Sequence, residues 1–279
     1  MNKHYTEIAF ILDRSGSMES CKDAAIEGFN RFLADQQQTE GLAKLTLVLF
    51  DDEYLVPVRS IPVQEVVPLT GDTYTTGNST ALLDAIGRTV DELGTALAAL
   101  PEKARPGQVI VAILTDGQEN ASRRFSQADI AAKIKHQTES YGWTFLFLGA
   151  NQDAIATAAQ LSIGANNAAT YVADDAGSRA SHVAFSRKAR SLRLSQMGQA
   201  SAAEAADAAA PMSQILEEED RKSRGQSQSS WPQPVAREPA SCSGITAAAA
   251  GEASVSACFR AMLKKPNLLA IQLDPQDGR

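Results

Sequence analysis

Asp13-Arg14-Ser15-Gly16-Ser17 sets one carboxylate and two hydroxyls at alternate positions of a short segment that follows an apolar run. In an extended loop, side chains two apart point the same way, so these three oxygen donors face one side. Hard cations such as Mg²⁺ take oxygen ligands at about 2.0–2.1 Å in octahedral geometry and retain several waters, a shell that carboxylates and hydroxyls can supply. Taken alone, the segment has a plainer explanation. Ser17 would cap a helix starting near Glu19, and Asp13 would merely favour the helix dipole. A D-x-S-x-S string arises by chance in roughly one chain in fifteen at ordinary Asp and Ser frequencies, so it decides nothing by itself.

Two further oxygen-rich segments change the weighing. Thr75-Thr76-Gly77-Asn78-Ser79-Thr80 precedes a helical pattern that begins at Ala81, and Asp116-Gly117-Gln118-Glu119-Asn120 ends an apolar run closing at Leu114. Singly, each is an ordinary turn. Jointly they matter, because all three are expected at the carboxyl ends of strands or the start of the following helix, on one rim of one sheet.

The elements that must build that rim are legible as periodicity. Continuous apolar runs at Glu7 to Leu12, Lys44 to Phe50, Val109 to Thr115 and Trp143 to Gly149, with a short Thr170 to Ala173, read as strands buried on both faces. Tyr54 to Val66 alternates and carries Pro57 and Pro62, the pattern of an edge strand or hairpin partner. Helical stripes are expected over Glu19 to Gln38, Ala81 to Leu100, Ser126 to Tyr141 and Asp153 to Leu161. Strands joined by helices through right-handed crossovers predict an α/β fold: a doubly wound, mostly parallel sheet flanked by helices. From about Gln196 the texture turns to Ala, Ser, Gln and Pro, with few large apolar residues to offset the entropy of ordering. The expected division is a domain over residues 1–195 and a low-complexity, disordered tail over 196–279, in which segments such as Ala200 to Glu219 could become helical on a partner.

Of the 279 residues, 44% are hydrophobic, enough for a substantial core. A formal net charge of −7 argues against a partner offering a phosphate backbone or an anionic membrane surface, so neither nucleic acid nor membrane is expected. No apolar stretch approaches the roughly 20 residues of a membrane span. The first strand begins too near the start to leave room for a cleavable signal segment. The three cysteines, Cys21, Cys242 and Cys258, have neither a zinc-knuckle spacing nor the even number of a disulfide framework. A cytoplasmic protein is the expectation.

Ile11-Leu12-Asp13-Arg14-Ser15-Gly16-Ser17-Met18 resembles the first motif of the metal-ion-dependent adhesion site in von Willebrand factor A domains. Thr80 matches the threonine of that site's second motif and Asp116, in Leu-Thr-Asp-Gly, the aspartate of its third. The resemblance implies that Ser15, Ser17 and Thr80 coordinate Mg²⁺, or Mn²⁺, directly, while Asp13 and Asp116 act mainly through metal-bound waters. It also implies a vacant coordination position for an Asp or Glu carboxylate of a partner protein, and so a binding module, an adaptor in a larger assembly, with no catalysis. Phe147 to Asp153 followed by Asn166 to Tyr171 is similar to a stand-alone cytoplasmic subgroup found in bacteria and phages. Asn78-Ser79 stands where many family members carry paired glycines.

The competing class is an enzyme in which Asp13 accepts a phosphoryl group beside Mg²⁺. The acid-base carboxylate usual two residues later is replaced by Ser15, and neither a G-x-S-x-G elbow nor a nucleotide-binding G-x-x-x-x-G-K-[ST] loop occurs. His4, His136 and His182 are scattered and read as surface or packing residues. Asp51-Asp52-Glu53 reads as a solvated hairpin turn outside the site, and Arg123 and Arg124 as solvated residues at a helix entry.

Overall fold

The structure, a computed structural model, describes residues 1–150 and 153–229. Six strands form one sheet in the order β3-β2-β1-β4-β5-β6. They are β1 (Asn2–Asp13), β2 (Leu42–Phe50), β3 (Tyr54–Pro62), β4 (Pro106–Thr115), β5 (Thr144–Ala150) and β6 (Ala168–Tyr171). All neighbours are parallel except β3, which pairs antiparallel with β2 through the turn at Asp51 to Glu53. Pro57 and Pro62 are tolerated because β3 lies at the sheet edge, where a missing N–H breaks no ladder.

Among the described residues seven α-helices flank the sheet: α1 (Lys22–Gln38), α2 (Leu82–Ala98), α3 (Gln127–Tyr141), α4 (Ala154–Gln160), α5 (Asp175–Met197), α6 (Ala202–Ala209) and α7 (Met212–Ser229). Side chains alternate across the sheet, so Ile8, Phe10 and Leu12 of β1 enter the core with α1, α5 and α7, while Ala9 and Ile11 enter the core with α2, α3 and α4. The layers are those of a doubly wound α/β fold, as the alternation of patterns predicts. Boundaries moved by a few residues: Gly16–Cys21 forms a 3₁₀ turn ahead of α1, and Ser126 sits outside α3 as half of a capping box with Asp129.

Three elements depart from expectation: α5, α6 and α7. Helix α5 is long and central yet lacks a readable stripe, because its buried face mixes Ala180, Ala184, Phe185 and Ala189 with Ser178, Ser181, His182, Lys188 and Arg193. Small residues let α5 approach α1 closely: a Cβ on Gly28 of α1 would lie 2.5 Å from the His182 ring. The buried cations are satisfied by helix ends. Arg193 donates to the carbonyls of Gln36, Thr39, Glu40 and Gly41 at the end of α1, and Lys188 to those of Asp207, Ala208 and Ala210 at the end of α6.

The expected boundary at 195, with a structureless tail from 196, is corrected for residues 202–229, which form α6 and α7. Met212, Ile215 and Leu216 are buried in the core beside α5, and Arg187 of α5 pairs with Asp207, Glu218 and Glu219. Three apolar side chains and a convergent ion cluster suffice, because the partner surface is already ordered. The rest of the expected tail, 230–279, lies outside the described residues, as do Asn151 and Gln152 of the Phe147 to Asp153 segment.

Candidate metal centre

In the strand order β3-β2-β1-β4-β5-β6 the chain runs outward in opposite directions from β1 and β4, so the carboxyl ends of these two strands flank the switch point where open α/β sheets take ligands. Asp13 is the last residue of β1, Thr115 the last of β4, and Asp116 follows it. The first two are fully buried, Asp116 is half-buried and Ser17 is exposed, so the crevice opens on the Ser17–Asp116 side.

All five residues singled out in the sequence meet here. The Ser15 amide donates to Asp13 Oδ1 (2.7 Å), the Ser15 and Ser17 hydroxyls lie 3.2 Å apart, and Ser17 Oγ donates to Asp116 Oδ1 (2.6 Å). Thr80 is located through Gly117: a Cβ built on that glycine would stand 2.8 Å from Thr80 Oγ1 and 3.6 Å from both Ser15 Oγ and Ser17 Oγ. Three hydroxyls thus cluster on one side of Gly117, where the lack of a side chain lets them approach the backbone. Ser17 makes no helix-capping hydrogen bond, so the plainer explanation of the first motif does not describe this loop.

The loops are held by residues the sequence left out of the site. Arg14, buried, donates to Asp51 Oδ1 (2.9 Å), Glu53 Oε2 (3.0 Å) and the Thr75 carbonyl (3.2 Å). Asp51 is itself buried, and its carbonyl accepts the Ala81 amide at the entry to α2. The reading of Asp51 as solvated is therefore corrected: a buried guanidinium needs a buried carboxylate, and only the fold brings the two together. The close fit of Gly77 against Asp51 leaves no room for a Cβ, and the Gly77 amide donates to the Arg14 carbonyl while Gly16 donates to that of Asn78. The departure from paired glycines at Asn78-Ser79 is thus accommodated with the loop pinned through its backbone.

The third loop is tied to the second. Asn120 Oδ1 accepts the Thr80 amide (2.8 Å), and the Thr80 carbonyl accepts the amides of Asn120 and Ala121. Helix α2 has no side-chain cap of its own. Its orphan amides at Leu83 and Asp84 donate to Glu119 and Ser122, and the Asp84 carboxylate returns three hydrogen bonds by accepting the amides of Arg123, Arg124 and Phe125. Below the crevice, the buried Tyr74 hydroxyl donates to the Asp13 carbonyl (2.6 Å).

Burial pushes the Asp13 carboxyl up to about 6, against hydrogen bonds from Thr115 and Ser15, with the Asp116 charge adding to the rise. Burial also raises Asp116, opposed by the Ser17 hydroxyl. Both carboxylates therefore lack compensating positive charge. Among the described residues no group of three His, Cys, Asp or Glu side chains is placed to hold a metal ion, and the crevice residues named here offer hydroxyls with two carboxylates. Such an all-oxygen set fits a hard divalent cation.

No protein-family model and no curated protein matches the chain. It is similar to the structure of proximal thread matrix protein 1 from the mussel byssus, at 14% identity over 69% of this chain and 46% of that one, with a TM-score of 0.48. A form of the same mussel protein with a zinc-occupied MIDAS motif gives 16% identity, 60% and 41% coverage and a TM-score of 0.42. A von Willebrand factor type A protein from Catenulispora acidiphila gives 16% identity, 67% and 43% coverage and a TM-score of 0.46. The chain spans less than half the length of each of these structures.

Proposed function

We propose that this chain is a von Willebrand factor A-type binding module of the stand-alone cytoplasmic kind, which holds Mg²⁺ or Mn²⁺ and uses it to grip an Asp or Glu of a partner protein. The observation that carries this reading is the clustering of the Ser15, Ser17 and Thr80 hydroxyls on one side of Gly117, with Asp13 and Asp116 behind them. Ser15, Ser17 and Thr80 would ligate the cation directly. The Asp13 oxygens are already engaged by the Ser15 amide and the Thr115 hydroxyl, which suits a carboxylate that acts from behind the ligand shell. When bound, the cation supplies a Lewis-acidic position, only partly neutralised by hydroxyl ligands, at which a partner carboxylate can replace water.

The enzyme alternative fares worse on geometry. A nucleophile must come within about 3–3.5 Å of phosphorus, yet Asp13 is fully buried with both oxygens spoken for. Catalysis is not part of the proposal.

The deciding experiment is a pull-down from extract of the source cells in Mg²⁺ and in EDTA, with wild type and Thr80→Ala, alongside an assay of small phosphoesters. Thr80→Ala removes a neutral ligand without adding charge, so the fold should survive while capture of the acidic partner is lost, as it is in EDTA. Metal-dependent phosphoester turnover that vanishes with Asp13→Asn would move the protein to the enzyme class.

A further inference from the structure

Residues 79–81 form a partition. Thr80 faces the metal crevice, while Ser79 and Ala81 border a second cavity of about 350 Å³ whose far walls include Tyr54, Arg88, Arg123 and Arg124. The Arg88 guanidinium lies over the Tyr54 ring at 4.0 Å, an arrangement that fixes its plane. Arg123 and Arg124 are exposed, and among the described residues neither forms an ion pair. Their backbone amides are held by Asp84, so the two guanidiniums project from an anchored loop.

The formal charges around this cavity balance, since Asp52, Glu53 and Asp84 also line it. Their hydrogen bonding does not. Asp84 accepts three backbone amides and Glu53 is paired with Arg14, which leaves Asp52 as the lining carboxylate with no engagement of that kind. Arg88 is paired with Glu92, so two unpaired guanidiniums, those of Arg123 and Arg124, meet one unengaged carboxylate at this cavity, on a protein whose net charge is −7. Guanidinium forks match carboxylates bidentately, and the pocket is separated from the metal crevice by three residues of backbone.

We propose that this arginine-lined cavity is a second anion subsite, so that the partner is an acidic peptide segment carrying two carboxylates, one for the metal and one for Arg123 and Arg124. The proposal rests on the metal-dependent binding reading for its first contact, and the partition at 79–81 sets the short spacing between the two. Arg88 supports the cavity wall and the arginine pair supplies the charge.

The test uses synthetic twelve-residue peptides on a neutral Gly-Ser background, carrying either one Glu or two Glu separated by one to six residues. Binding is measured by fluorescence anisotropy in Mg²⁺ and in EDTA, for wild type, the Arg123→Gln/Arg124→Gln double variant and Thr80→Ala. A best two-Glu spacing should bind wild type about tenfold more tightly than the one-Glu peptides, the worth of one charge-assisted contact. The arginine variant should lose that gain while keeping one-Glu affinity, and Thr80→Ala or EDTA should weaken both. Equal binding of every peptide by wild type and the arginine variant overturns the subsite and leaves the metal reading standing. Two-Glu binding that survives EDTA but needs the arginines supports the subsite and overturns the metal reading. Absence of binding by every peptide overturns both.

Discussion

Ser17 Oγ donates to Asp116 Oδ1 at 2.6 Å, linking the loop after β1 to the loop after β4 at the open side of the crevice. A cation bound there would draw the Ser17 oxygen lone pairs and the Asp116 charge toward itself, with a gain in stability by mass action. Mg²⁺ at tenfold its dissociation constant should add about 1.4 kcal/mol, roughly 3–6 °C in Tm for a chain of this size. Differential scanning fluorimetry with Mg²⁺, Mn²⁺ or EDTA measures this, and an unchanged melt at saturating metal would refute the site.

Gly117→Ala is the sharpest probe of the hydroxyl cluster. Its methyl would sit 2.8 Å from Thr80 Oγ1 and 3.6 Å from the Ser15 and Ser17 hydroxyls, so the buried Thr80 side chain has to give way. The metal-free variant should lose about 1–3 kcal/mol by overpacking, so the metal effect is read as the shift in Tm within the variant itself. The Mg²⁺-induced rise in Tm should disappear. A variant that keeps the full rise would place the cation elsewhere.

Asp51→Asn leaves the buried Arg14 guanidinium with a neutral acceptor where Asp51 stood and with Glu53, largely exposed, as its one carboxylate. Breaking one arm of a buried pair is expensive, and a loss on the order of 3 kcal/mol is expected in urea unfolding. Metal affinity should fall too, because Arg14 carries the link between the first and second loops. An equal loss of stability in the exposed-surface control Asp52→Asn would show that the buried pair has no special weight.

Gly28→Ala tests how closely α1 and α5 approach. The added Cβ would meet the His182 ring at 2.5 Å, and overpacking of this kind costs about 1–3 kcal/mol. Combining it with His182→Ala should recover part of the loss, giving a favourable coupling energy in a double-mutant cycle. Strict additivity would exclude the contact.

Acid stability should carry a signature from the same histidine. Burial lowers His182 from 6.5 to about 4, while its Nδ1 donates to the Ser178 carbonyl and its ring stacks on Phe10. Its folded-state value lies below its unfolded one, so the unfolded chain binds the extra proton as pH falls. The stability contributed by the neutral ring is complete above 6.5 and is lost progressively down to about 4. Asp13 acts in the opposite sense: raised to about 6, it favours the folded state at low pH and loses that contribution as pH rises through 6. The two partly cancel in wild type. The difference in unfolding free energy between wild type and His182→Leu should therefore shrink by about 3 kcal/mol from pH 7 to pH 4. A difference independent of pH would mean that the ring titrates alike in the folded and unfolded states.

The six strands, helices α1 to α4 and three oxygen-rich loops could be read from the chain alone, because apolar periodicity and turn chemistry are local properties that burial on a sheet leaves intact. Helices α5 and α7 could not. The buried face of α5 carries His182, bonded to its own helix at the Ser178 carbonyl, and Lys188 and Arg193, which become interior residues only because the carboxyl ends of α6 and α1 are there to accept their hydrogen bonds. Helix α7 is ordered by three apolar contacts and the Arg187 cluster, too few for a local pattern to reveal. The five site residues were named from sequence through motif and resemblance, yet their meeting at one point depends on the switch of strand direction between β1 and β4. Asp51 shows the limit most plainly. As a carboxylate in an acidic turn it has every local mark of solvation, and only the folding of the 13–16 and 75–80 loops over it converts it into the buried counter-charge that holds Arg14.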